Sequence, residues 1–175
     1  EVIREKGTNR SQFFKGMVDK YTWVDVGSSM LPSEIQAAYL YAQLESAEEV
    51  NTKRLSIWRA YRTTVSSVLD GKKIELPYVP DHCVHNAHMF YLKFENITKR
   101  QEFISLMKGF GVMCVFHYIP LHSAPAGQQF GFFVGEDKFT TIESEKLIRL
   151  PIYYNMNSAE LEVIQSAIRK SLKLI

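Results

Sequence analysis

Histidine and tyrosine side chains gather in one short loop, His117-Tyr118-Ile119-Pro120-Leu121-His122. The loop directly follows the apolar run Val112–Phe116, which predicts a buried strand, and ligands of α/β proteins bind where such strands end. Two imidazoles and a phenol beside a rigid proline could bind phosphate or sugar hydroxyls, or transfer protons near neutral pH. A polar loop with incidental histidines fits equally well, so the residues alone leave both interpretations open.

A second cluster of metal-ligating side chains lies upstream, at His82, Cys83, His85 and His88. Imidazole and thiolate are good zinc ligands, but a structural zinc site usually has a paired second half such as Cys-x-x-Cys, which this chain lacks. We therefore expect no metal site and keep a small zinc protein as the weakest alternative. His82 and His85 are predicted to be exposed, whereas His88 shares the strand parity of Phe90 and is predicted to point inward.

Cysteine catalysis and nucleotide-binding glycine motifs find little support. Cys114 lies within the apolar run Val112–Phe116, where a thiol usually serves as a small apolar group, and no Cys-His-Asn order is visible. The stretch Gly109-Phe110-Gly111 lacks the third glycine of a dinucleotide-binding loop, and no P-loop occurs.

The composition excludes several classes of protein. The 175 residues are 46% hydrophobic, enough for a sizeable core, and 21 Lys and Arg against 19 Asp and Glu leave a net charge of only +2. So small and scattered a charge argues against a nucleic-acid or membrane-surface partner. Two cysteines suit a reducing cytoplasm, and no signal-peptide or membrane-spanning pattern occurs, so we expect a cytoplasmic protein.

The first quarter of the chain is predicted to hold a single helix. Residues 7–30 show no clean periodicity and are predicted to lack regular elements. Ser33 and Gln36 have capping-box spacing and begin a helix with a stripe suited to close packing, made of Ile35, Ala38, Tyr39 and Ala42. The opening Val2–Gly7 has the basic residue and the glycine of a helix end, so we expect the C-terminal part of a longer protein.

A small α/β layer is predicted downstream. A helix over 46–68 would pack through Leu55, Trp58, Arg62, Val65 and Leu69. After Gly71 the sequence predicts a strand over 88–94, a helix from a Thr98–Gln101 capping box to Gly111, and a strand over 112–116. A loop over 117–135, a helix over 141–148 and a strand over 150–153 follow. The last helix is capped by Ser158 and carries four apolar residues on one face, Leu161, Ile164, Ile168 and Leu172. This order predicts helices packed on one small sheet. We assign residues 1–45 to the tail of one domain and 46–175 to a small α/β domain.

Several motifs together resemble one enzyme family. Ser33-Glu34-Ile35-Gln36-Ala37-Ala38, preceded by a loop from Gly27 and followed by Gln43-Leu44-Glu45, is similar to the Ser-Glu-x-Gln-Ala-Ala and Ala-Gln-Leu stretches of the DegT/DnrJ/EryC1 sugar-nucleotide aminotransferases. Four further stretches match in the same order: Arg4–Gly7, His88–Phe90, His117–His122 and Leu150–Tyr153. Within the family, residues 7–13 and 19–23 look closest to the transaminases that form dTDP-4-amino-4,6-dideoxygalactose.

The resemblance implies a fold and a reaction class. The fold would be that of fold-type I pyridoxal-phosphate aminotransferases, with residues 1–45 ending the large cofactor-binding domain and carrying a dimer and active-site loop. The reaction would transfer an amino group from glutamate to the C4 ketone of a nucleotide-linked 4-keto-6-deoxy sugar, for lipopolysaccharide and other surface-polysaccharide synthesis, in a homodimer with shared sites. The family's Schiff-base lysine would lie upstream, so no residue here is assigned as catalytic and the fragment alone is expected to be inactive.

The resemblance also implies binding residues. Ser29 takes the position of the family asparagine that reaches the cofactor phosphate of the partner subunit, and its hydroxyl can donate one hydrogen bond there. Leu31 stands where the family has arginine, so a charge contact is lost. The 117–122 loop is one residue shorter than the family's His-Tyr-Pro-x-Pro-Leu-His. Five residues are assigned to the nucleotide-sugar site: Arg10, a candidate partner of the diphosphate, Tyr21, His117, Tyr118 and His122.

A non-catalytic interpretation stays open beside the enzyme. A free-standing α/β module could hold a phosphorylated small molecule through the His117–His122 loop. A reading frame that starts near Glu1 would favour this binding module, and one that extends upstream would favour the enzyme.

Overall fold

The computed structural model describes residues 1–175 as two compact units, Glu1–Ala47 and Glu48–Ile175. The helices are α1 (Arg10–Phe14), α2 (Glu34–Glu45), α3 (Ala47–Ser66), α4 (Ile97–Gly109), α5 (Pro125–Phe130), α6 (Thr140–Lys146) and α7 (Ser158–Leu174), with a 3-10 turn at Leu121–Ser123. The strands are β1 (Phe90–Lys93), β2 (Val115–Phe116) and β3 (Leu147–Leu150). None of the helices combines the length and apolar character needed to cross a bilayer.

The first unit is more ordered than its sequence predicts. The segment 7–30 contains α1 and takes part in two antiparallel bridges, Glu5 with Ser29 and Thr8 with Trp23, so the prediction that it lacks regular elements is wrong. Backbone pairing of distant stretches leaves no periodic side-chain pattern in short segments, which is why the sequence did not reveal it. The Ser33–Gln36 capping box of α2 is confirmed. The stripe of α2 stays exposed, since no residue of α2 is buried.

The second unit is built on a three-stranded antiparallel sheet of order β1-β3-β2. Phe90 pairs with Leu150 and Leu92 with Ile148, and all four side chains point into the core. Helix α4 packs against α6, α7 and β3. The core also contains three apolar helix faces: Ile57, Trp58, Tyr61 and Val65 of α3, Phe103 and Met107 of α4, and Ile164, Ile168 and Leu172 of α7.

Several predicted boundaries and faces in this unit are wrong. Helix α4 is capped by Asn96 rather than by Thr98, and α7 by Asn157 rather than by Ser158, because each asparagine accepts the amide hydrogen bond of the third helical residue. Helix α3 buries Ile57 and Tyr61 instead of Arg62, whose guanidinium lies outside and donates to the Pro77 carbonyl at 2.8 Å.

The strands also differ from the prediction. Strand β3 ends at Leu150, because Pro151 lacks the amide hydrogen that a further ladder bond would need. Strand β2 has only two residues, and Val115 and Phe116 are 43% and 51% exposed, so a strand buried on both faces is wrong. The edge position of β2 leaves its outer face open, while Val112 and Cys114 before it are buried. The predicted loop 117–135 contains the 3-10 turn and α5.

Candidate ligand-binding sites

A polar cavity of about 330 Å³ lies within the first unit. Three of its lining residues are cations, Arg4, Lys6 and Arg10, and three carry hydroxyls, Thr8, Tyr21 and Ser29. The structure therefore brings Arg10, Tyr21 and Ser29 together, three of the residues that the sequence assigned to cofactor or substrate. Leu31 also lines this cavity.

Two glycines bring the walls of this cavity together. A Cβ on Gly27 would lie 1.9 Å from the amide nitrogen of Gly7, so only glycine allows the two chain segments to come this close. Gly7 also adopts a φ of 76°, and Lys6 before it a φ of 64°, in the left-handed region. The Lys6 amide donates to the Ser28 carbonyl at 3.2 Å, which places the Lys6 backbone beside the segment that carries Ser29.

The opposite wall is held by Asn9 and by aromatic packing. The Asn9 side-chain oxygen accepts from the Thr22 amide at 2.7 Å, and the Phe13 ring lies 5.7 Å from that of Tyr21. Two acids also line the cavity, Glu5 and Glu34, and the Glu5 carboxylate accepts from the Ser11 hydroxyl at 2.7 Å. The cavity thus presents three cations against two acids, one of which already has a partner.

A larger cavity, of about 690 Å³, lies in the second unit. Helix α4 forms one wall, α6 another, and the segment Phe116–Pro120 a third. His117 and Tyr118 line it, whereas His122 lies beside it and contacts the lining residue Thr141. The Tyr118 ring lies under the Arg149 guanidinium at 5.4 Å and is 73% exposed.

Two lining side chains of this cavity carry buried nitrogens without a hydrogen-bond partner. These are Arg100 Nε and His117 Nδ1. Sequence reasoning missed Arg100 entirely, although it lies three residues before Phe103 on the apolar face of α4. A cation at a core position of an amphipathic helix is the signal that could have identified it.

His122 belongs to a separate polar cluster. Its Nε2 lies 2.8 Å from an Asp137 carboxylate oxygen, which also accepts a hydrogen bond from the Thr141 hydroxyl. Because an ionised carboxylate only accepts, Nε2 is the nitrogen that donates to Asp137. The Thr141 hydroxyl and His122 together hold the pKa of Asp137 below its usual value. The cluster fixes the 3-10 turn to the start of α6, and Asp137 and Thr141 were not identified from the sequence.

The upstream histidines form no ligand cluster. Within the chain, no group of three or more His, Cys, Asp or Glu side chains could hold a metal ion. His88 is exposed, so its predicted inward orientation is wrong: Ala87 has a φ of 51° and turns the backbone before the strand begins at Phe90. His85 is half-buried, with its ring 4.7 Å from Trp58, rather than exposed as predicted.

The two cysteines differ in environment. Cys83 is exposed, whereas Cys114 is buried, as the prediction of a small apolar group requires. Burial raises the pKa of the Cys114 thiol to about 12, so it is not a ready nucleophile.

Comparison with known proteins decides the family. The model of the DegT/DnrJ/EryC1/StrS aminotransferase family matches residues 1–169. The chain belongs to this family. The uncharacterized protein MJ1066 of Methanocaldococcus jannaschii is 28% identical over 179 residues, which cover 97% of this chain and 45% of that protein.

Solved structures show the same fold. DesV from S. venezuelae superposes with a TM-score of 0.74 at 22% identity, covering 99% of this chain and 43% of DesV. PseC from Helicobacter pylori, an aminotransferase involved in pseudoaminic acid biosynthesis, superposes with a TM-score of 0.73 at 19% identity. The superposition covers 99% of this chain and 45% of PseC. The fold is that of the C-terminal part of the fold-type I aminotransferases. The chain spans less than half the length of each of these three proteins.

Pyridoxal phosphate is the cofactor that an aminotransferase family implies, and the first cavity can be tested against it. The phosphate of that cofactor needs cations and hydroxyl or amide donors. Arg4, Lys6 and Arg10 supply the charge, and Thr8, Tyr21 and Ser29 supply the hydroxyls. The donor set of the cavity therefore fits a phosphate or a diphosphate group.

Proposed function

We propose that this chain forms part of a pyridoxal-phosphate enzyme that transfers an amino group from glutamate to the C4 ketone of a nucleotide-linked 4-keto-6-deoxy sugar. The observation that carries the proposal is the cavity of the first unit, which gathers three cations and three hydroxyls in a chain of an aminotransferase family. When bound, the cofactor would supply the electron sink that the reaction at the amino-bearing carbon requires.

The first unit would hold phosphate groups. Ser29 would donate its hydroxyl to the cofactor phosphate, and Arg10 would bind the diphosphate of the sugar nucleotide through two parallel N–H groups. The Arg10 guanidinium lies 5.2 Å from the Phe14 ring centroid, which orients it without using its N–H donors. Tyr21 would add a hydroxyl from the facing wall.

The second unit would contribute to sugar recognition. His117 and Tyr118 line its cavity and carry groups that can donate to sugar hydroxyls. His122 would present Nδ1 to the sugar, since Nε2 is already bonded to Asp137. Asp137 is thus a positioning residue for the imidazole.

The finer assignments belong to the same proposal. The reaction would convert dTDP-4-keto-6-deoxyglucose to dTDP-4-amino-4,6-dideoxygalactose, for lipopolysaccharide and other surface-polysaccharide synthesis in the cytoplasm. The enzyme would be a homodimer in which Ser29 reaches the cofactor phosphate of the partner subunit. The resemblance of residues 7–13 and 19–23 supports this substrate, and the position of Ser29 in the family motif supports the shared site.

The protein that carries this chain should be incubated with pyridoxal phosphate, glutamate and dTDP-4-keto-6-deoxyglucose. We expect a cofactor absorbance that borohydride traps covalently, and an amino sugar identified by mass spectrometry and by the configuration at C4. Absence of both the absorbance and the product would refute the enzyme and favour a non-catalytic module that binds a phosphorylated molecule through the His117–His122 loop.

Two variants test the assigned roles. Ser29→Ala should weaken cofactor retention about fivefold, because a neutral hydrogen bond contributes about 1 kcal/mol. Ser28→Ala, which removes an adjacent hydroxyl outside the cavity lining, should leave retention unchanged. His122→Ala should impair sugar turnover with an unaltered cofactor spectrum, and equal kinetics in this variant and the wild type would remove His122 from the site.

A further inference from the structure

Arg100 is a buried cation without an acid. Its side chain leaves the apolar face of α4, the residue is only 9% exposed, and it lines the 690 Å³ cavity of the second unit. Its Nε is shielded from solvent and has no hydrogen-bond partner, and no carboxylate forms an ion pair with the guanidinium. The Phe116 ring lies 5.8 Å from the guanidinium carbon.

Such an arrangement is costly unless an anion completes it. Arginine stays charged at every accessible pH, so burial cannot be relieved by loss of a proton. The contact with the Phe116 ring offsets part of the cost of burying an unpaired charge, and a bound anion would offset the rest.

A second observation at the same cavity points to a ligand. His117 lines the same cavity, and its Nδ1, like Arg100 Nε, is buried without a hydrogen-bond partner. The other walls are mainly apolar, with Ile97, Ile104 and Ile119 among them. Glu145 is the single acidic residue in the lining, and it is exposed.

We propose that this cavity binds a small organic oxyanion. Arg100 would donate hydrogen bonds to two of its oxygens, and the apolar walls would enclose its aromatic or aliphatic part. The guanidinium fork matches a carboxylate or a phosphate ester, and His117 supplies one further polar contact. A cavity of this volume is of the size that encloses small-molecule ligands. The inference rests on the proposed function in one respect, since His117 and Tyr118 of this same cavity are assigned there to sugar recognition, and it adds Arg100 as the group that would bind an oxyanion of the ligand. A binding titration tests it separately from transamination.

Three probes of similar shape separate the possible sources of the anion. Benzoate carries a carboxylate, phenyl phosphate a phosphate ester, and benzamide is the uncharged counterpart of benzoate. Calorimetric titration of the full protein should show saturable binding of benzoate or of phenyl phosphate, and the tighter of the two identifies the class. Benzamide should bind at least about tenfold more weakly, because it cannot form the charge-assisted pair. Equal binding of benzamide, or no binding of either anion at millimolar concentration, would overturn the proposal.

Variants tie the binding to the cavity. Arg100→Gln should weaken binding of the anion about tenfold or more. Arg169→Gln, the same change at an exposed arginine of α7, should leave the affinity unchanged. Because Arg100→Gln could impair folding, Ser105→Trp serves as a second variant. Ser105 is an exposed lining residue, so the indole would fill the cavity and block binding while Arg100 remains.

The charge of the cavity gives an independent readout. Glu145→Gln removes the acid from the lining and should tighten anion binding, more at low than at high ionic strength. Unchanged affinity in both Arg100→Gln and Ser105→Trp, or weaker binding in Glu145→Gln, would place the anion elsewhere.

Discussion

Replacing the buried Cys114 by alanine should remove much of the alkaline sensitivity of the second unit. Burial raises the pKa of this thiol from 9.0 to about 12. The unfolded chain therefore releases the proton near pH 9 while the folded chain retains it. The stability that this thiol contributes is fully present below pH 9 and is lost as the pH rises from 9 toward 12.

The size of the effect follows from linkage. One pKa unit corresponds to about 1.4 kcal/mol, so raising the pH from about 7 to about 10 should lower the free energy of unfolding by roughly 1.4 kcal/mol through this group alone. Burial also raises the pKa of Tyr61, but from a higher starting value of 10.0, so stopping at about pH 10 largely isolates the thiol. Cys114→Ala should itself cost about 1 kcal/mol near pH 7, because the buried sulfur no longer fills its space.

The assay is urea unfolding at several pH values, followed by the fluorescence of Trp58, which lies in the same core as Cys114. A Trp23→Phe background leaves Trp58 as the only tryptophan of the chain. Cys83→Ala is the matched control, since its thiol is exposed and its loss removes no buried group from the core. If the wild type and Cys114→Ala lose stability equally between about pH 7 and 10, the linkage argument fails.

Two further predictions concern backbone crossing and core hydrogen bonding. Gly27→Ala should disrupt the first unit and raise its rate of amide hydrogen exchange, because the new Cβ would lie 1.9 Å from the Gly7 nitrogen. Gly109→Ala is the control, since its new Cβ would meet no neighbouring atom and should leave the exchange rate of the first unit unchanged. Similar exchange rates in the two variants would contradict this prediction. Tyr61→Phe should lower the free energy of unfolding by about 1–2 kcal/mol, since the lost hydroxyl donates to a carbonyl at 2.7 Å. Tyr91→Phe, which removes a hydroxyl that makes no hydrogen bond within the protein, should change the free energy of unfolding by less than about 0.5 kcal/mol. An equal loss in the two variants would refute the stabilising role of the Tyr61 hydrogen bond.

Local patterns in the sequence identified most of the secondary structure. The alternation of Phe90, Leu92 and Phe94 placed β1 and its buried face correctly, and Ser33 with Gln36 marked the start of α2. These signals work because capping and burial depend on residues a few positions apart. Alternation failed at His88, where the turn at Ala87 interrupts the strand geometry.

The binding groups were only partly accessible from the sequence. His117 and Tyr118 stood out because their residue types carry chemistry and follow an apolar run. Arg100 did not, because an arginine in a helix is ordinarily a solvated residue, and its isolation depends on which groups surround it in space. The role of Asp137 could not be predicted either, because it depends on a contact with His122, fifteen residues away in the chain.

By itself, the sequence determined the family through motifs in a fixed order, the α/β class, and the positions of the principal helices. Only the tertiary structure decided that Arg10, Tyr21 and Ser29 share one cavity, because backbone pairing between segments far apart in the chain brings them together. It likewise decided that His117 lines the larger cavity while His122 bonds to Asp137. The physical reason is that helix caps and strand faces are set by neighbouring residues, whereas burial and charge pairing are set by residues that meet only when the chain folds.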